Sequence, residues 1–269
     1  MYRQRFGLTG HPFPKNAKGD KLFTDSDGYR RLERLFGMLI EDPGLGILTA
    51  EPGTGKTAAI RNLAHALPEP QYRIVYLCDT QVGPVDLYRT LAWELGIEPA
   101  FRRVALWRDL KARLLHMVDE RDERPVLIID EAHHLPERFL SDFSAFLNFA
   151  FDSRDLFTTW IVGHTELRSR LKLNRYAALR TRIVASVHLE PYTNRDVFSK
   201  FIAHGLGAAG AKGTILTDSA RELVFRASGG LARDVSKIVR RAFRIAAERE
   251  LSFVDDVVME SAIGEAAAL

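Results

Sequence analysis

Apolar residues along the chain come in two patterns. Short apolar runs occupy 46–50, 73–79, 125–131, 158–163 and 183–189, and helical-period stretches separate them. An amphipathic helix is predicted over 25–41 (YRRLERLFGMLI). Strands alternating with helices in this way predict a parallel sheet covered on both faces. After about Pro191 the strand pattern stops. Helical patterns follow one another at 194–206, 217–228, 231–249 and 254–267, with no strand expected among them. The predicted fold class is therefore α/β: a five-stranded parallel sheet sandwiched by helices, followed by a small all-α domain. The boundary is placed at Glu190-Pro191-Tyr192-Thr193. The first domain is 1–190, with 1–24 as an irregular lead-in containing two prolines, and the helical domain is 191–269.

The first apolar run ends in Ala50-Glu51-Pro52-Gly53-Thr54-Gly55-Lys56-Thr57, and the helix-like AAIRNLAHAL follows from Ala58. Strand, glycine-rich loop and helix in that order hold a nucleoside triphosphate. Gly53 and Gly55 let backbone N–H groups wrap the β- and γ-phosphates, and Lys56 adds a point charge to the same oxygens. The Thr57 hydroxyl is offered to Mg²⁺, and the helix start turns its positive dipole end toward the anion. The pattern's first glycine is Ala50 here, a tolerable change at the entry of the loop.

A phosphate-binding loop predicts a second, acidic strand. Pro125-Val126-Leu127-Ile128-Ile129-Asp130-Glu131 supplies it, with β-branched residues expected to be buried on both faces. Asp130 is placed in the Mg²⁺ shell, and Glu131 orients and polarises the attacking water. Asp130-Glu131-Ala132-His133 also spells the tetrapeptide of DEAH-box helicases. Those enzymes need two recombinase-like domains, and this chain has room for one.

The 269 residues are 46% hydrophobic and 27% charged, an ordinary globular balance with room for a sizeable core. Net charge is only +3, which permits a nucleic-acid partner without arguing for one. The single cysteine, Cys78, reads as a buried core thiol. No Cys/His pairing has zinc-site spacing, and His133-His134 has no sequence partners of that kind. The N-terminus has no signal-like apolar core, and no stretch approaches the roughly 20 apolar residues of a membrane span. A cytoplasmic protein with no membrane partner is expected.

Together these segments resemble the AAA+ ATPases, and more narrowly the ExeA-like group that includes transposition ATPases of the TniB/TnsC kind. The resemblance runs over almost the whole chain. It is carried by Phe6-Gly7-Leu8 with Pro12-Phe13, the phosphate loop, Ile129 to Leu135, and Val162-Gly163-His164-Thr165-Glu166-Leu167. Leu179-Arg180-Thr181-Arg182-Ile183 and Ser228-Gly229-Gly230-Leu231-Ala232-Arg233 complete it. The resemblance implies His164 as sensor 1, with Thr165 able to share that role. It implies Arg182 as an arginine finger reaching a neighbouring subunit's nucleotide, with Arg180 as the competing choice. Arg233 becomes sensor 2, reading the γ-phosphate from the helical lid. Pro12 and Phe13 become candidates to flank the adenine, against the alternative of a core anchor for the lead-in.

The transposition branch of this group binds duplex DNA along an assembled ring or filament, mainly through phosphates. Arg102 and Arg103, in the loop Ala100-Phe101-Arg102-Arg103, are the corresponding candidates. A second basic cluster, Lys237, Arg240, Arg241 and Arg244, reads as a solvated helix face. The leading expectation is an ATP-dependent, DNA-binding regulator of transposition. With ATP and Mg²⁺ it assembles as a homo-oligomer on duplex DNA, recruits a transposase, with a target-selector protein as a further partner, and disassembles on hydrolysis. The alternatives are an ExeA-like ATPase serving secretion or envelope machinery, a replication initiator or helicase loader, and a non-hydrolysing nucleotide switch. Intact Glu131 argues against the last.

Overall fold

The computed structural model describes residues 2–267. Five strands form one all-parallel sheet: β1 Leu45–Ala50, β2 Tyr72–Leu77, β3 Arg124–Ile129, β4 Thr158–Gly163 and β5 Ile183–Leu189, in the order β2-β3-β4-β1-β5. The order explains the side-chain patterns. β1 and β4 lie inside the sheet, every residue of both is buried, and β3 is nearly so. The edge strands β2 and β5 mix buried and exposed positions, as strands covered on one side must. The expected strand positions agree within two residues at each end.

The chain divides into two compact units. One contains Arg31–Ala50 and Leu63–Leu189, and so holds the whole sheet. Its core gathers Leu45, Ile47, Leu127, Ile129 and Ile161 with Tyr88, Leu106, Phe139 and Phe143 from the helices Pro84–Glu94, Arg103–Arg121 and Glu137–Phe146. On Asp27–Glu41, Phe36 stacks with the fully buried Trp160 of β4, ring centres 6.0 Å apart.

The other unit contains Met1–Arg30, Glu51–Asn62 and Glu190–Leu269. Its helices run Arg195–Gly207, Asp218–Ser228, Ala232–Glu248 and Asp256–Ala267, each within two residues of the stretch predicted for it. Caps explain two starts: Asn194 accepts from the amides of Asp196 and Val197, and Thr217 accepts from that of Ala220. An isolated bridge between Leu216 and Val254 is the one strand-like pairing among the described residues there.

The lead-in is more ordered than its composition suggests. It carries the short helix Tyr2–Arg5 and a 3-10 turn, Gly19–Lys21. Phe6, Leu8 and Phe23 share a core with Phe198, Phe201, Val235 and Phe243 of the C-terminal helices. These 30 residues therefore group with 190–269, although the chain order places them before the sheet.

Cys78 departs from expectation. β2 is an edge strand that ends at Leu77, so the thiol follows the strand and is exposed. No helix among the described residues is long and apolar enough to cross a membrane.

Candidate active site

The phosphate loop lies in the unit with the C-terminal helices. Thr54 closes its turn twice on the Glu51 carbonyl, through its amide at 3.3 Å and its hydroxyl at 2.9 Å. Gly53 and Gly55 take φ of +88° and +111°, conformations that L side chains rarely adopt. The helix Lys56–His65 starts directly after them, with the Ala59 amide on the Gly55 carbonyl at 2.9 Å. The amides of Lys56, Thr57 and Ala58 thus belong to its first turn, the end that carries the positive pole of the helix dipole. Pro52 is exposed, and Lys56 is only 6% exposed, so the loop holds its cation largely out of bulk water. Positive-φ glycines, a helix start and a sheltered ammonium are the donor set that a nucleotide's phosphates require.

Arg233 belongs to the same unit. Its backbone amide donates to the Gly53 carbonyl at 3.0 Å, and the residue lies at the start of Ala232–Glu248. Phe13, at φ +51°, packs its ring on Phe201 with centres 4.9 Å apart and lies directly against Gly205, where any Cβ would collide with it. Arg240 donates to the carbonyls of both Pro12 and Phe13, and Pro12 is buried. The pair anchors the lead-in to the C-terminal helices. Arg240 is thereby committed, Arg241 pairs with Glu265 and Lys237 with Asp234, so three of the four basic residues of that cluster are engaged within the chain.

The acidic strand end lies in the sheet-containing unit. Asp130, 1% exposed, follows β3. Its Oδ1 accepts from the Glu131 amide at 2.8 Å and its Oδ2 from the Tyr76 hydroxyl at 2.9 Å. Glu131 is in the left-handed region (φ +52°, ψ +32°), and its carbonyl accepts from Thr80 at 2.8 Å. The chain then makes a 3-10 turn, Ala132–His134. Burial, and then the neighbouring Asp130 charge, push the Tyr76 phenol far above its ordinary value, so it remains a donor. Tyr76 and Thr80 escaped the sequence reading. Tyr76 sits opposite Ile128 on the adjoining strand, a relationship visible only once β2 is known to pair with β3.

His164 stands between β4 and the helix Thr165–Leu171, at the N-cap position, but its side chain caps nothing there. Its Nε2 is 3.7 Å from Glu131 Oε2, and His133 Nε2 is 3.6 Å from the same oxygen. The His133 and His164 rings stack at 3.6 Å between centres. The geometry thus brings His164 to Glu131.

The arginine candidates are engaged within their own chain. Arg182, its side chain 20% exposed, pairs with Asp152, and Arg180 donates to the carbonyls of Leu171 and Lys172 at 3.2 and 2.9 Å. Arg103 pairs with Asp142 at 2.9 Å and lies 4.2 Å over the Trp107 ring. Arg102 is exposed beside the strongly exposed Phe101 and Val104.

A phosphate loop and an Asp-Glu strand end on a sheet of order β2-β3-β4-β1-β5 define an AAA+ P-loop fold, and residues 40–171 match the family model described as the AAA domain. An AAA domain implies nucleotide binding, typically with Mg²⁺, and in general nucleotide hydrolysis. Among individual proteins, the chain is 29% identical over 244 residues to General secretion pathway protein A of Aeromonas hydrophila, across 90% of this chain and 44% of that protein. The chain therefore spans less than half the length of this relative. Two solved structures share the fold. Cdc6p from Pyrobaculum aerophilum has a TM-score of 0.66 at 21% identity, covering 84% of this chain and 62% of that one. The Aeropyrum pernix ORC1 protein in complex with DNA has a TM-score of 0.69 at 17% identity, covering 97% and 69%.

Proposed function

We propose that the protein is a Mg²⁺-dependent ATPase that works as an assembling regulator of a larger machine. The observation that carries this reading is the arrangement around Glu131. Its carboxylate has His133 and His164 within 3.7 Å, and Asp130 and Thr80 fix its backbone. A positioned carboxylate of this kind orients and polarises a water for attack on a γ-phosphate. The phosphate-loop amides and Lys56 hold the phosphates, and Thr57 and Asp130 are the Mg²⁺ ligands. Bound Mg²⁺ supplies charge neutralisation at the phosphate oxygens. His164 acts as sensor 1 and Arg233 as sensor 2.

The arginine finger, Arg182 with Arg180 as the alternative, acts on a neighbouring copy's nucleotide. It must first leave Asp152, which makes assembly a condition for turnover. Two kinds of machine fit. The similarity to a general secretion pathway protein over most of this chain supports the secretion or envelope reading. The DNA-transposition reading, with a transposase and a target-selector protein as partners, rests on exposed Arg102 and on the ExeA-like resemblance.

The deciding experiment measures ATP hydrolysis by wild type and Glu131→Gln, each with and without duplex DNA over a salt series. Hydrolysis lost in Glu131→Gln supports the assignment of the base, and equal rates overturn it. Salt-sensitive stimulation by DNA favours the transposition reading; indifference to DNA favours the secretion one.

A further inference from the structure

We propose that Glu131, His133 and His134 form a binding site for a transition-metal dication of the zinc type, and that its occupation switches hydrolysis off. The binding half stands on local geometry alone. The switching half rests on the water-activating role of Glu131.

One ligand atom from each of these three side chains lies within 4.8 Å of the others. The left-handed turn at Glu131 and the 3-10 turn after it are what fold three near-consecutive residues onto one point. Zinc binds imidazole nitrogen and carboxylate oxygen at about 2.0–2.1 Å, so two ligands at a tetrahedral angle stand roughly 3.3–3.4 Å apart. The Glu131 Oε2 to His133 Nε2 separation is 3.6 Å, within a few tenths of an ångström of that edge. His134 has its ring centre 4.0 Å from that of His133 and is exposed, so it can close on an arriving ion from solvent.

His164 Nε2 lies 3.7 Å from the same oxygen, near enough to join as a fourth ligand. Its ring lies within 19° of parallel to that of His133, so the in-plane lone pairs run side by side and the His164 ring must tilt to join.

The surroundings are those of a supported site. Arg170 donates to the carbonyls of His133 at 3.2 Å and Leu135 at 2.7 Å, bracing the turn from behind, and Thr80 braces the Glu131 carbonyl. These contacts fix the backbone of the turn that carries the three ligands. Two imidazoles and one carboxylate suit Zn²⁺, Co²⁺ or Ni²⁺; Mg²⁺ prefers an octahedron of oxygens. The site is thus chemically distinct from the proposed Mg²⁺ ligands. A carboxylate bound to zinc has its charge drawn toward the metal and its orientation set by the metal, so it is a poorer base for water, and nucleotide binding persists while turnover falls.

The test is a zinc titration of the full chain in nucleotide-free buffer, read by calorimetry with no chelator present, or by competition with a chromophoric chelator of known affinity. It is run in a Cys78→Ser background, because that exposed thiol is a rival ligand. Saturable one-to-one binding is expected, at least tenfold weaker in His134→Ala and in His133→Ala. Absence of such binding, or undiminished binding by both variants, overturns the site. In parallel, hydrolysis is measured in excess Mg²⁺ with buffered zinc, each protein scored against its own zinc-free rate. Zinc should inhibit the parent protein, and His134→Ala should need at least tenfold more. Binding that depends on both histidines but leaves the parent's hydrolysis untouched upholds the site and overturns the switch, and the fault then lies with the role given to Glu131. A cobalt-substituted sample supplies an independent readout, since tetrahedral coordination by these ligands gives a visible absorption band that both variants should lose.

Discussion

The backbone amide of Arg233 donates to the carbonyl of Gly53 at 3.0 Å. One bond thereby satisfies an open donor in the first turn of Ala232–Glu248 and fixes the phosphate loop at its bend. A Cβ on Gly53 would stand 3.1 Å from that of Arg233, at a φ of +88° that side chains resist. Gly53→Ala is expected to cost about 1–3 kcal/mol and to weaken ATP binding at least tenfold. Thermal melting with and without nucleotide checks it; equal nucleotide stabilisation of both proteins would show that the loop tolerates the methyl group.

Lys56→Ala should abolish ATP binding, because the phosphates lose their fixed cation. Glu131→Gln should leave binding near wild type and slow turnover by roughly 10²–10⁴, since only the water-activating base is removed. Fluorescent-nucleotide titration and phosphate release separate the two effects.

Tyr76→Phe removes the donor from Asp130 Oδ2 and little else. We expect a stability loss of about 1.5–3 kcal/mol, the usual worth of a hydrogen bond to a charged group, and a changed Mg²⁺ requirement for hydrolysis. A Mg²⁺ titration that superimposes on wild type would detach Tyr76 from the metal shell.

Arg182 pairs with Asp152 in its own chain and must leave it to serve a neighbour. Mixing Arg182→Ala with Lys56→Ala protein should restore partial activity, because one composite boundary remains whole. Asp152→Ala should lower the protein concentration needed for half-maximal activity per subunit. If the mixture stays inactive while both variants assemble, Arg180 becomes the finger.

Burial pushes the Tyr192 phenol up to about 12 from its ordinary 10, so the folded chain holds that proton more tightly than the unfolded one. Its contribution to stability is full below pH 10 and is lost as pH rises toward 12. Tyr192→Phe, which keeps the ring packed 4.6 Å from Phe201, should flatten the pH dependence of urea unfolding across that window.

For duplex DNA, the two arginines should not contribute equally. Arg103 is committed to Asp142 and Trp107, so Arg102→Ala should lower any phosphate-led affinity more than Arg103→Ala. The double variant should flatten the log–log salt slope by about 0.9 for each phosphate it no longer neutralises. Anisotropy titrations on unrelated sequences decide this.

Much of the sheet was legible because β1, β3 and β4 are buried on both faces, and continuous apolar runs announce such strands. The helix start after Gly53 and Gly55 and the strand end at Asp130-Glu131 were legible as local structure, because each is encoded in consecutive residues. Tyr76, Thr80 and the stacking of His133 on His164 were not, because each depends on which strands adjoin. Cys78 was misread because RIVYLC looks equally apolar whether its strand lies at the centre or the edge. The lead-in looked irregular because its partners, Phe198, Phe201 and Phe243, lie roughly two hundred residues away.

That separation sets a clock on synthesis. Phe6 leaves the ribosome early, but Phe243, whose ring stands 4.9 Å from its own in the finished fold, follows 237 positions later. At the usual 5–20 residues per second the wait is roughly 10–50 seconds. Throughout it, Phe6 lacks the Phe243 ring, although Phe201, the partner of Phe13 and Phe23, is made sooner. The residues of the sheet are all made before Phe243, so one core can be complete while the other still lacks a member.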